Sequence, residues 1–158
     1  MIQRIQTLFL AAVAIAMVVY LGVPSYAKAN ATTQESLELT AFGLTYTRAN
    51  ALVSTTPTYY LAGLAILAAI LAVASLLQYR NRMRQLLLNL INSLVMAGLL
   101  GATVYTGLYQ GRPLFDPSQQ GDFQIGFFAV LTGLLCNLIA NRFIRRDEQL
   151  VRSADRMR

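Results

Sequence analysis

The chain has 158 residues, 56% of them hydrophobic and only 13% charged, and its 13 Lys and Arg against 7 Asp and Glu give a formal net charge of +6. An ordinary soluble domain carries about 25% charged residues, so the composition argues against a conventional water-facing globule and for a lipid solvent. With no His and a single Cys, an intrachain disulfide is excluded and Cys–His catalysis is a poor fit.

The first apolar block covers residues 5–23. Arg4 precedes it, and Ala27, Lys28 and Ala29 follow in the small-x-small arrangement that signal peptidases read, so it fits a retained helix or a cleaved signal peptide. The run from Leu8 to Val23 is at the upper edge for a signal core, which favours retention.

Residues 24–57 form the longest piece outside the apolar blocks. Leu37 to Thr47 is rich in Leu, Thr and aromatics with partial alternation, which predicts one or two short strands with a turn near Gly43. An isolated hairpin is marginal in water, so it would rest on helix ends as a lid or meet a partner. Thr56 and Pro57 read as the start signal of the next helix.

Further apolar blocks cover residues 58–78, 86–108 and 123–144, again without a charge in the middle. Each block is close to the roughly 20 residues that cover a hydrocarbon core of about 30 Å, and none shows the alternation of a membrane β-strand. The expected fold is therefore an all-α membrane protein: a four-helix bundle forming a single transmembrane domain over residues 1–158, with a short external segment, in part β, between helices 1 and 2. The loop Gln110 to Asp122, with Gly111, Pro113, Pro117 and Gly121, reads as a tight surface connection without metal-ligand spacing.

Arg80, Arg82 and Arg84 mark a basic turn between the second and third blocks, and residues 145–158 form a basic tail carrying Arg145, Arg146 and Arg152. Basic residues beside a span resist translocation, which places both termini and this turn in the cytoplasm. The spacing of Glu148 and Arg152 predicts that the last helix continues to about Ala154. These six arginines are candidate contacts for a cytoplasmic partner or anionic lipid, and their position beside the membrane explains the charge without a specific nucleic acid.

Two patterns within the blocks bear on packing and function. Ala65, Ala69 and Ala72, and separately Gly98 and Ala102, form strips of small residues suited to close helix contact. Asn89, Asn92 and Ser93 share one face of the third helix, and Asn137 and Asn141 one face of the fourth, at matching depth. Lipid cannot satisfy an amide, so these residues are expected to face inward as a polar layer, serving as a register device or a polar pocket. No catalytic, metal-binding or cofactor-binding residues emerge, and an enzyme is not expected. No Asp, Glu, Lys or Arg lies mid-span, which argues against a coupled transporter.

Two classes of function follow. The first is a structural or accessory subunit of a membrane assembly, with a heterologous partner or a second copy. The second is a small channel, transporter or lipid-handling protein that uses the polar layer.

The opening Met1, Ile2, Gln3, Arg4, Ile5, Gln6, Thr7 and the tail from Asn141 through Arg145, Arg146, Asp147 and Glu148 to Arg158 resemble a family of small four-span proteins of Bacteroidetes-type bacteria, domain of unknown function 4293. The resemblance covers essentially the whole chain. It implies a bacterial inner-membrane location and a retained first span, and it supplies no catalytic or ligand-binding residues.

Overall fold

The computed structural model describes residues 2–30, 34–49, 51–78, 81–110 and 121–156. Four helices stand side by side: α1 (Ile2–Gly22), α2 (Tyr59–Leu77), α3 (Arg82–Tyr105) and α4 (Ile125–Arg156). α1 packs on α2 and α4, and α3 packs on the same two, so the helices form a ring. Val13, Met17, Ala65, Ala68, Met96, Leu99 and Val130 are buried inside it, while Leu8, Ile15, Ile70, Leu94, Phe128 and Leu138 are exposed on its outside. Helices that are apolar on both faces need an apolar solvent around them.

Beyond the helix ends lies an antiparallel sheet in the order β4-β3-β2-β1-β5. Its strands are β1 (Tyr26–Asn30), β2 (Glu35–Leu39), β3 (Gly43–Arg48), β4 (Ala51–Pro57) and β5 (Asp122–Phe123). Period-two alternation aims one face of the sheet at the helices. The cross-strand pairs Leu37↔Tyr46 and Leu39↔Leu44 lie on that face, in one core with Tyr20 and Leu61. The next pair along the same face, Glu35↔Arg48, lies toward its margin and closes an ion pair of 3.2 Å on an exposed guanidinium.

This architecture corrects the all-α, four-crossing reading. Three helical stretches, Tyr59–Leu77, Met83–Gln110 and Ile125–Arg146, are long and apolar enough to cross a membrane, whereas that of α1 is the shorter Gln6–Gly22. Both termini on one side require an even number of crossings, so three candidate spans do not carry the cytoplasmic placement of both termini drawn from the basic residues. Residues 24–57 hold four strands instead of one or two, and a fifth, β5, forms where the sequence reads as a loop and the head of a helix. β1 and β4 lack alternating hydrophobicity of their own, and partners supply what pattern does not. β1 is paired on both sides, Ala27 opposite Glu38 and Asp122, and Tyr26 meets the Phe123 ring edge-on at 5.5 Å. Pro57 ends β4 instead of opening α2. Thr58 is fully buried, with its hydroxyl directed at the carbonyls of Thr40 and Ala41 at 3.2 and 3.4 Å, which ties the helix start to the β2–β3 turn.

The small-residue strips divide. Ala65 and Ala72 are fully buried and Ala69 packs against the core, but a Cβ added at Gly98 would meet nothing within 4 Å. The close helix contact is made at Gly133, where a Cβ would come 3.2 Å from Ala16 Cβ and 2.8 Å from Met96 Cε. Gly98→Leu is therefore expected to change stability by no more than about 0.5 kcal/mol, the range of ordinary surface substitutions. A melting curve in detergent checks it, and a large loss would mean that another surface covers Gly98.

Candidate functional site

Two polar layers cross the helix ring. The layer beside the sheet is built from hydroxyls. Thr103 Oγ1 donates to the Leu99 carbonyl at 2.8 Å, so the Tyr20 phenol, 2.9 Å away, donates to it. In the same way Thr106 Oγ1 donates to the Ala102 carbonyl at 2.8 Å and accepts from Tyr60 at 2.5 Å. Thr106 opens the π-helical turn Thr106–Gln110 that ends the third helix. All four hydroxyls are used, tying α3 to α1 and α2.

The other layer lies toward the far end. Counting from the sheet-side ends Gly22, Tyr59, Tyr105 and Ile125, Gln6, Ser75, Asn89 and Asn141 each fall sixteen residues in, at a depth of about 24 Å. Each helix thus contributes one polar side chain at a single level. Asn92 and Asn137, thirteen and twelve residues in, lie about 5 Å nearer the sheet. Ser75, Asn89, Asn92 and Asn137 are fully buried, and Gln6 and Asn141 are 5% and 9% exposed.

Helix geometry accounts for the clustering on α3 and α4. Asn89, Asn92 and Ser93 are three or four apart, as are Asn137 and Asn141, and such spacings share a face. Asn137 Nδ2 donates to the Asn89 carbonyl and to Ser93 Oγ, both at 2.8 Å, and Ser93 Oγ donates to the same carbonyl at 3.0 Å. This contact fixes α3 against α4.

Eight buried atoms of the far layer have no hydrogen-bond partner among the described residues: Oδ1 and Nδ2 of both Asn89 and Asn92, Oδ1 of Asn137 and Asn141, Nε2 of Gln6 and Oγ of Ser75. Each such atom costs about 1–3 kcal/mol if left unpaired. The set combines donors and acceptors, and none belongs to an ionisable group. It is matched to water or a small uncharged molecule that both gives and takes hydrogen bonds.

A groove of about 290 Å³ between α3 and α4 opens outward from this layer, lined by Leu90, Ser93, Leu138, Asn141, Arg142 and Arg145. Ser93 and Asn141 belong to both layer and groove.

Of the basic candidates, Arg84, Arg145 and Arg146 are exposed toward the end away from the sheet, and only Arg145 lines the groove. Arg80 lies outside the described residues; Arg82 and Arg152 lie in α3 and α4 with side chains outside the described set. Three residues of this region are not among the sequence-derived site candidates: Gln6, Ser75 and Arg142. Ser75 is the one Ser in the Ala- and Leu-rich α2, and Arg142 precedes Arg145 by three, so spacing could have flagged both. Gln6 sits in the second turn of α1, where a polar residue reads as a helix end at the membrane surface.

Cys136 is partly buried against the helix core. No group of three or more His, Cys, Asp or Glu that could hold a metal occurs among the described residues. The family model described as Domain of unknown function (DUF4293) matches residues 2–157. No curated protein matches the sequence.

Proposed function

The chain belongs to the family defined by the Domain of unknown function (DUF4293), and we propose that it is a membrane-embedded, non-enzymatic protein that holds a small uncharged hydrogen-bonding ligand, water included, between its helices. Embedding is supported by three helices of spanning length and by the apolar outer faces. The bacterial cytoplasmic membrane is the setting that the resemblance implies.

The observation that carries the ligand reading is the contrast between the two layers. The four hydroxyls of the sheet-side layer are paired, whereas the amide layer has eight buried atoms without partners among the described residues. A register device needs only the paired kind. The geometry therefore favours a small channel, transporter or lipid-handling protein over a purely structural subunit.

One observation favours an accessory role as a second reading. β4 is an outermost strand of the sheet, it carries no charge, and Leu52 and Val53 on it are exposed. Sheet edges are usually protected by charges, Pro or cover, and an open edge is a template for strand addition. A partner protein or a second copy would satisfy it.

A structure solved in lipid nanodiscs, sharp enough to place ordered solvent, tests the first reading. Density about 3 Å from the Asn89 and Asn92 amides is expected. Pairing of all eight atoms with protein groups would overturn the ligand reading, and a chain that stays monodisperse without detergent would overturn embedding.

A further inference from the structure

We infer that the α3–α4 groove is a binding site for an anionic phospholipid from the leaflet opposite the sheet, with the phosphate at Arg142 and Arg145 and an acyl chain along Leu90 and Leu138. The inference rests on membrane embedding but not on a ligand in the amide layer.

Depth is the first argument. Counting from Ile125, Arg142 and Arg145 lie about 26 and 30 Å along α4, close to the full thickness of a hydrocarbon core. Leu138 lies at about 20 Å by the same count, and Leu90, counted from Tyr105, at about 22 Å. The groove therefore presents guanidinium groups at the headgroup level and two leucines several ångströms deeper. Asn141, at about 24 Å, lies between them, while Ser93, at about 18 Å, lies beneath the leucines with its hydroxyl donated to the Asn89 carbonyl. That sequence of polarity, cationic then neutral polar then apolar, matches the phosphate, glycerol ester and acyl chain of a phospholipid in order.

Charge is the second. Arg142 and Arg145 are three apart on one face of α4, and both are exposed. The described lining contains no carboxylate to neutralise them. A guanidinium pair suits a phosphate because its N–H groups match the anion's oxygens. Both leucines are exposed as well, at 56% for Leu90 and 49% for Leu138, so an acyl chain can lie against them without any rearrangement of the helices. Arg146 is exposed beside Arg145 but does not line the groove, which supplies an internal control: the same charge at nearly the same depth, outside the site.

The test is native mass spectrometry of the full chain in detergent, titrated with phosphatidylglycerol or phosphatidylcholine. The wild-type protein should retain phosphatidylglycerol preferentially. R142Q/R145Q should weaken that retention about 25-fold, from roughly fivefold per basic residue, while R146Q and R84Q each change it less than about twofold. Leu138→Trp, which fills the groove without altering charge, should weaken it too. Inorganic phosphate at millimolar concentration should not displace the lipid, since it brings no acyl chain. Equal loss in R146Q and R142Q/R145Q would reduce the effect to diffuse surface charge and overturn the site, as would equal retention of the two lipids or displacement by phosphate. Each variant's melting curve is recorded alongside, and a variant that fails to fold is replaced by the single R142Q or R145Q, for which about fivefold is expected. A chain that needs no detergent would overturn embedding itself, an outcome distinct from loss of lipid selectivity.

Discussion

Tyr20→Ala is expected to remove about 3–5 kcal/mol of stability, the range for truncating a fully buried aromatic ring. Tyr20 is 0% exposed and is the largest of the fully buried side chains among the described residues. It sits near the end of α1, in the same core as Leu39 and Leu44 of the sheet and Leu61 of α2, and its phenol donates to Thr103 on α3. One ring thus joins the helices to the sheet. Removing it opens a cavity at that junction and leaves Thr103 without its cross-helix donor. Tyr20→Phe keeps the ring and loses only the hydrogen bond, for which about 0.5–1.5 kcal/mol is expected. Melting midpoints in one detergent separate the two terms: roughly 10 °C or more for Ala and a few degrees for Phe. Equal losses from the two substitutions would show that the ring contributes no packing and that the junction is held elsewhere.

The helices were legible because burial in an apolar solvent needs long uncharged runs, and such runs stand out against any other pattern. The sheet was not, and the reason is specific to its strands. β2 and β3 carry the alternation of Leu37, Leu39, Leu44 and Tyr46 and were visible in outline. β1 reads Tyr-Ala-Lys-Ala-Asn, which resembles a cleavage site, and β4 ends in Thr-Thr-Pro, which resembles a helix start. Their strand character comes from backbone pairing with neighbours, a long-range property that no local window contains. β5 is only two residues long and exists because Phe123 and Asp122 fall opposite Tyr26 and Ala27. The same distinction runs through the site. Asn89, Asn92, Ser93, Asn137 and Asn141 could be singled out because an amide in an apolar run is conspicuous and helical spacing gathers it onto one face. Which of their atoms would be paired could not be read, since that depends on the facing helix to within an ångström. Gly133 was missed and Gly98 favoured for a similar reason: sequence shows which residues are small, and only the packed helices show which of them touch.

The amide layer yields the sharpest functional expectation, because its members use their side chains differently. Asn89 and Asn92 make no side-chain hydrogen bond among the described residues, whereas Asn137 spends both of its N–H groups on α3. Leu is close to Asn in shape, so Asn89→Leu and Asn92→Leu remove buried polar atoms that no group among the described residues satisfies. Such a replacement is neutral or stabilising to folding when nothing else is lost. Asn137→Leu breaks two interhelical contacts, for which cycles in a membrane protein average about 0.6 kcal/mol per hydrogen bond with a maximum near 1.7. The expected result is that the Asn89→Leu/Asn92→Leu protein folds in wild-type yield or better, while the cellular phenotype of the wild-type chain is lost and the density beside these residues disappears. A bound ligand also stabilises the state that binds it, so the double variant should no longer gain melting temperature from whatever small solute raises that of the wild type. Asn137→Leu should instead lower folded yield and phenotype together. A double-leucine variant that restores the phenotype in a deletion strain as fully as the wild type would mean that the unpaired amides bind nothing the cell requires, and the layer would then stand as a packing register whose working member is Asn137.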